Sequence, residues 1–166
     1  LERVMRCVAV IGTDDVPETH WPLFERLADL VTDAGFRLRY HHGPAGDLFS
    51  RFFRGRITCG FWHEFDETGR RVWVNPNAGN LRPVMIRQVR EYMKMPVEDK
   101  HVAMATMACL YALEGPGVVD ADLVLTFHQD ESKNKVPLFL ASKLGFKVYN
   151  IADRKQLSEV ATFLKS

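Results

Sequence analysis

Hydrophobic positions along this chain fall into short blocks that switch between two periods. Val8–Ile11 is apolar at every position, the pattern of a strand covered on both faces. Gly12-Thr13-Asp14-Asp15 interrupts the run with turn residues, and Val16–Thr19 prolongs the loop. From Trp21 to Ala34 the residues Phe24, Leu27, Ala28 and Val31 recur at i, i+3, i+4 and i+7, one stripe of an amphipathic helix. Gly35 stands where a helix-terminating glycine belongs. Phe36–Tyr40 alternates apolar and basic residues and predicts a second strand with Arg39 at its end. His41–Asp47 then reads as a glycine-bearing loop and Leu48–Phe53 as a short helix packed by its aromatics.

The middle of the chain is less regular. Thr58–Phe65 and Arg71–Val74 predict strands joined by a turn at Glu67-Thr68-Gly69, one completing the sheet and the other forming an edge hairpin. Residues 75–80 read as a loop. Val84–Met95 carries Met85, Val89 and Met93 in line and predicts a helix ending before Pro96. A second helix is predicted over Glu98–Leu113, with Val102, Ala105, Cys109 and Ala112 on one face, stopped by Gly115-Pro116-Gly117. Asp122–Phe127 is the most strand-like run of all, followed by the polar loop His128–Lys135. Pro137–Leu144 predicts a helix, Lys147–Asn150 a last buried strand, and Arg154–Lys165 a helix striped by Leu157, Val160, Ala161 and Leu164.

Strands alternating with helices through short loops predict an α/β chain. The expected architecture is a Rossmann-like three-layer α/β/α domain over 1–166, with a mostly parallel sheet and an extra edge hairpin. In such sheets ligands sit outside the carboxyl ends of the strands. That rule gathers Gly12–Asp15, His41–Asp47 and Phe127–Lys135 round one crevice.

Composition adds bounds rather than detail. At 46% hydrophobic and 26% charged the chain is an ordinary globular one, and its formal charge of +1 argues against bulk attraction to nucleic acid or an anionic membrane. The three cysteines are odd in number and widely spaced, which suits reduced thiols and a cytoplasmic setting. No apolar run approaches the roughly 20 residues of a membrane-spanning helix.

Several of these residues form motifs with a family likeness. Ile11-Gly12-Thr13 closes the first strand, and Arg39-Tyr40-His41-His42-Gly43-Pro44-Ala45-Gly46-Asp47 follows the second. Lys100-His101 opens an alanine-rich helix, and Lys147-Val148-Tyr149-Asn150-Ile151 forms the end strand. In order and spacing this resembles the SLOG superfamily, which includes the LOG phosphoribohydrolases and the DNA-processing protein A domain, and within it a bacteriophage and bacterial branch. The likeness spans most of the chain outside roughly residues 58–95.

That resemblance implies a small-molecule nucleotide or other phosphate-bearing ligand, and N-glycosidic hydrolysis as the chemistry if there is any. A homodimer through the helices is implied as well. The chain also departs from the family pattern. His41-His42 replaces paired glycines, and Gln129–Lys135 contains no glycine where the family carries its phosphate loop.

The residues themselves admit two readings each. Backbone N–H groups at Gly12, Thr13, Gly43 and Gly46 could cradle a phosphate, or the glycines could simply serve βα turns. Arg39 could pair a phosphate bidentately or be a solvated strand-end arginine. Asp47 could act on a ribose as catalytic carboxylate or cap its own helix. Glu131 is the second catalytic candidate, with Thr126, His128 and Lys133 as ligand contacts in the same loop, against a solvated polar loop. His42 could contact a base. His41 and His42 point to opposite sides of an extended chain, so no metal site is expected, and no cofactor. A competing expectation is a non-catalytic sensor or interaction protein that keeps the fold with a degenerate site.

Overall fold

A computed structural model of the chain describes residues 6–41, 43–61, 63–65, 71–73, 78–114 and 117–165, the side chains within 58–80 and 112–119 excepted. The elements are β1 (Cys7–Ile11), α1 (Trp21–Asp33), β2 (Arg37–His41), α2 (Pro44–Phe52), β3 (Ile57–Phe61), β4 (His63–Phe65), β5 (Arg71–Trp73) and α3 (Ala78–Gln88). They continue with α4 (Val97–Leu110), β6 (Tyr111–Glu114), β7 (Gly117–Asp120), β8 (Leu123–Thr126), α5 (Lys135–Lys143), β9 (Val148–Asn150) and α6 (Arg154–Lys165).

Five strands form one sheet in the order β3-β2-β1-β8-β9, and all four pairings are parallel. β1 lies at its centre and is buried along its whole length, as an all-apolar strand must be when helices cover both faces. Val8, Val10, Leu38, Leu123 and Leu125 face one helical layer, where they pack with Phe24, Leu27 and Val31 of α1, Leu48 and Phe49 of α2, and Val160 of α6. Ala9, Ile11 and Val124 face the other layer and meet Cys109 and Leu110 of α4 and Ala141 of α5. The fold is therefore a Rossmann-like three-layer α/β domain.

A further element stacks outside it. Leu81 and Met85 of α3, with Val89 just beyond it, pack on Ala103, Met104, Met107 and Ala108, so α4 is buried from Ala103 to Leu110 between the sheet and α3. A helix covered on both sides shows no polar stripe, and this explains the unbroken small and apolar run of its second half.

Several expectations change. Ile57–Phe61 joins the sheet beside β2 and His63–Phe65 pairs antiparallel with Arg71–Trp73, so sheet strand and hairpin are both present; the expected turn at 67–69 lies outside the described residues. The helix expected to run to Leu113 ends at Leu110, and Tyr111–Glu114 turns into a second antiparallel hairpin with Gly117–Asp120. The helix expected over Val84–Met95 starts at Ala78 and stops at Gln88, giving way to a 3-10 segment over Arg90–Lys94. β9 is a half-buried edge strand rather than a buried one. Cys7 and Cys109 are both fully buried. No helix among the described residues is long and apolar enough to cross a membrane.

Candidate functional site at the strand tips

The chain order reverses between β1 and β8: β1 connects outward to β2 on one side, β8 to β9 on the other. Loops leaving a parallel sheet in opposite directions open a crevice at that point. Three segments meet there. The β1 loop, Gly12–Asp15, touches the start of α2, since a Cβ on Gly43 would lie 2.9 Å from the Gly12 carbonyl oxygen. It also crosses to the segment after β8, where Thr13 Oγ1 donates to the Lys133 carbonyl at 2.6 Å.

One side chain fills the crevice between the loops. Asn134, fully buried at the start of α5, accepts from the backbone N–H of Thr13 at 2.8 Å and of Asp14 at 3.1 Å through Oδ1. Its Nδ2 donates to Thr126 Oγ1 and the Phe127 carbonyl, both at 3.0 Å, and lies 3.3 Å from His128 Nδ1. The two carbonyl-oxygen acceptances and the Phe127 donation fix which way the amide points.

Asp14 repeats the device in the opposite direction. Its Oδ2 accepts from the Gln129 N–H at 3.0 Å, and Oδ1 accepts from Asp15 N–H at 2.9 Å while lying 4.0 Å from Lys133 Nζ. The Gln129 side-chain nitrogen reaches His20 Nε2 at 3.2 Å. The N–H groups of Thr13, Asp14 and Gln129, the donors an oxyanion at the switch point would use, are thus each taken by a side chain of the protein.

Gly12 makes this closure possible. Its φ of +121° is a conformation that side-chain-bearing residues rarely adopt, and a Cβ there would sit 2.5 Å from Thr126 Oγ1. Thr126 is fully buried, donating to the Ile11 carbonyl at 2.7 Å as it accepts from Asn134. It is a strut of the latch and not a surface contact.

The remaining candidates are placed as follows. Arg39 stands in the middle of β2 rather than at its end, is 1% exposed, and donates from Nε to Cys7 Sγ on the face toward α4. Alternation along β2 puts Arg37 and His41, also buried, on that same face. Gly43 is the N-cap of α2, and Pro44 is its first residue, so the expected loop is already helix. Gly46 lies in that first turn, where a Cβ would collide with the His41 carbonyl oxygen; here the glycine serves close helix–strand packing. Asp47 is in the first turn too, at the positive end of the helix. His128 is half-buried, its N–H and carbonyl both tied to the Asn150 side chain at 3.1 and 3.0 Å. Lys133 and Glu131 are exposed in a 3-10 turn, and His42 lies outside the described residues.

Asp130 begins that turn, and the Ser132 hydroxyl and N–H on its carboxylate hold its pKa below the usual value. Among the described residues no cluster of His, Cys, Asp or Glu is arranged to hold a metal.

Space remains beside the latch. A cleft of about 260 Å³ is bounded by Asp15, Val16, Trp21, Pro44, Asp47, Leu48 and Arg51. Trp21 is fixed in it by its indole N–H, which donates to the Val16 carbonyl at 3.3 Å. Asp47 and Arg51 stand one helical turn apart on α2, on one face.

Asn134 is given no role by the sequence reading, and Asp14 is expected there only as a turn residue at the crevice whose acceptor could cap the next helix. A signal existed: an asparagine directly before an apolar helical run at a strand's carboxyl end, facing an aspartate just after a glycine. Such side chains satisfy nearby backbone groups. No protein-family model, curated protein or solved structure matches the chain.

Proposed function

We propose that this protein is a non-catalytic sensor or interaction protein that keeps the Rossmann-like fold with its switch-point site closed by its own side chains. The observation that carries this reading is Asn134, whose one amide holds the Thr13 and Asp14 N–H groups and bridges to Thr126 and Phe127. An oxyanion entering there must displace a buried, fully bonded amide and approach the Asp14 carboxylate. Leaving such groups unpaired costs about 1–3 kcal/mol each.

The test is thermal-shift and calorimetric titration of nucleoside mono-, di- and triphosphates and ADP-ribose, with chromatographic detection of released base. Neither a shift in melting temperature nor base release is expected. Micromolar binding that perturbs the amide resonances of Thr13, Asp14 and Gln129 would overturn the reading.

The neighbouring cleft favours a second reading, a nucleotide-metabolite-binding protein of SLOG type with its ligand displaced toward α2. Trp21 offers a fixed aromatic face, Asp15 and Asp47 offer acceptors for ribose hydroxyls, and Arg51 offers a phosphate partner. N-glycosidic hydrolysis would then fall to Asp47. Nucleotide binding abolished by Asp47→Ala and Arg51→Ala, with the latch resonances unmoved, favours this reading over the first.

A further inference from the structure

The helical layer formed by α1, α2 and α6 is unevenly closed. α1 and α2 share the Phe24–Phe49 aromatic contact at 6.4 Å, whereas α1 and α6 stand apart and leave a groove of about 340 Å³ between them. Leu23, Leu27 and Leu30 line it from α1, at i, i+4 and i+7. Leu157 and Ala161 line it from α6, one turn apart. Leu30 is 42% exposed and Leu23, Leu157 and Ala161 are half-buried, whereas Leu27 forms the groove's buried floor.

Charge round the groove is sorted by sign. Arg26 and Arg154 border it, and neither makes an ion pair among the described residues. None of the acids on the same two helices lines the groove, and two of them are paired elsewhere. Asp29 of α1 pairs with Arg54 beyond the end of α2 at 3.1 Å, and Glu159 of α6 pairs with Lys147 before β9 at 3.3 Å. Both acid pairs involve residues that do not line the groove, and the groove's own rim is cationic.

We infer that the α1–α6 groove is a docking site for an acidic amphipathic helix of a partner protein. A leucine-rich stripe would fill the gap between the two helices, and Glu or Asp side chains flanking that stripe would pair with Arg26 and Arg154. Helix-in-groove recognition needs this combination of spaced apolar anchors and a charged border. The cationic rim selects the sign of the partner and speeds encounter. The inference is independent of whether the strand-tip crevice is closed, because no groove residue belongs to it.

The probe is a fluorescein-labelled peptide of roughly 14 residues, about the 20 Å length of α1, with leucines at i, i+3, i+4 and i+7 and glutamates beside them. Two controls carry lysine for glutamate or a scrambled order. Anisotropy should rise with the acidic peptide, weaken with added salt, and leave the lysine and scrambled peptides unbound. Leu30→Glu should weaken binding by about tenfold or more. Arg26→Glu with Arg154→Glu should transfer binding to the lysine peptide. All these side chains are exposed, and an unchanged melting curve confirms folding.

Amide-shift mapping on the unmodified protein should confine the changes to α1 and α6. Equal binding of all three peptides overturns the proposal, as does indifference to Leu30→Glu. So does a concentration-dependent dimer that Leu30→Glu dissolves, which would make a second copy the occupant. Binding of phosphatidylserine-containing vesicles in place of peptide would likewise overturn it.

Discussion

Asn134 and Gly12 show how much of this site rests on two small residues. Replacing Asn134 by Ala leaves the Thr13 and Asp14 N–H groups, the Phe127 carbonyl and Thr126 Oγ1 without their partner in a buried crevice. A loss of about 3 kcal/mol is expected, read as a lower urea midpoint at unchanged slope. Asn134→Asp should be no better, since it sets an acceptor oxygen against the Phe127 carbonyl. Gly12→Ala meets both a positive φ and the Thr126 hydroxyl, so a cost of about 2 kcal/mol or more is expected. Combining it with Thr126→Ala should recover part of that loss, because the collision is removed and only the backbone strain stays. A double-mutant cycle by chemical unfolding measures the recovery.

At the scale of elements, much of the fold was legible and the exceptions have causes. β1, β8 and the stripe of α1 stand out because burial on one or both faces writes itself directly into the pattern. The proline and glycine of Pro44-Ala45-Gly46 suggest a loop, yet proline suits a helix's first position and Gly46 is needed where α2 crosses β2. Tyr111–Glu114 continued the apolar pattern of α4, and periodicity alone cannot tell a short strand from one more helical turn. Arg39 misled in another way: a charged residue in an alternating strand suggests solvent, whereas this one is buried against Cys7.

α4 offers the packing test. Ala108 is 4% exposed between the α3 and sheet layers, so Ala108→Leu should overpack and cost about 1–3 kcal/mol, whereas Met93→Lys at a half-exposed position should change little. Thermal unfolding of the two variants checks it.

The start of α6 gives the pH test. Asp153 Oδ1 accepts from Lys155 N–H at 2.9 Å and Gln156 N–H at 3.2 Å, and these bonds lower its pKa from 3.8. A carboxylate with a depressed folded pKa contributes stability that is complete above its unfolded value and is lost as pH falls through the folded one. Asp153→Asn keeps an acceptor for the cap but removes the proton equilibrium. The acid limb of the stability curve below the unfolded value of 3.8 should therefore become shallower, with little change near neutrality.

For the whole molecule, the question is whether sheet topology or local side chains decide if the strand tips bind an anion. A parallel sheet that reverses order between β1 and β8 carries the crevice regardless of what fills it. Here Asn134 occupies the donors and Asp14 contributes negative charge, with Lys133 Nζ 4.0 Å from its carboxylate. If local side chains decide, removing both obstacles should expose a binding capacity inherent in the fold.

Asn134→Gly with Asp14→Asn does this, freeing the Thr13 and Asn-substituted position-14 amides without deleting an acceptor for Gln129 N–H. The double variant should be less stable than the parent but should regain stability in sulfate or phosphate beyond any gain the parent shows. A ligand that binds only the folded state at 100 times its Kd stabilises by about 2.7 kcal/mol, enough to detect as a melting shift confined to the variant. Chloride at matched ionic strength separates this from screening. An equal response of parent and variant to sulfate would mean that the latch is not what keeps anions out, and that the crevice geometry itself excludes them.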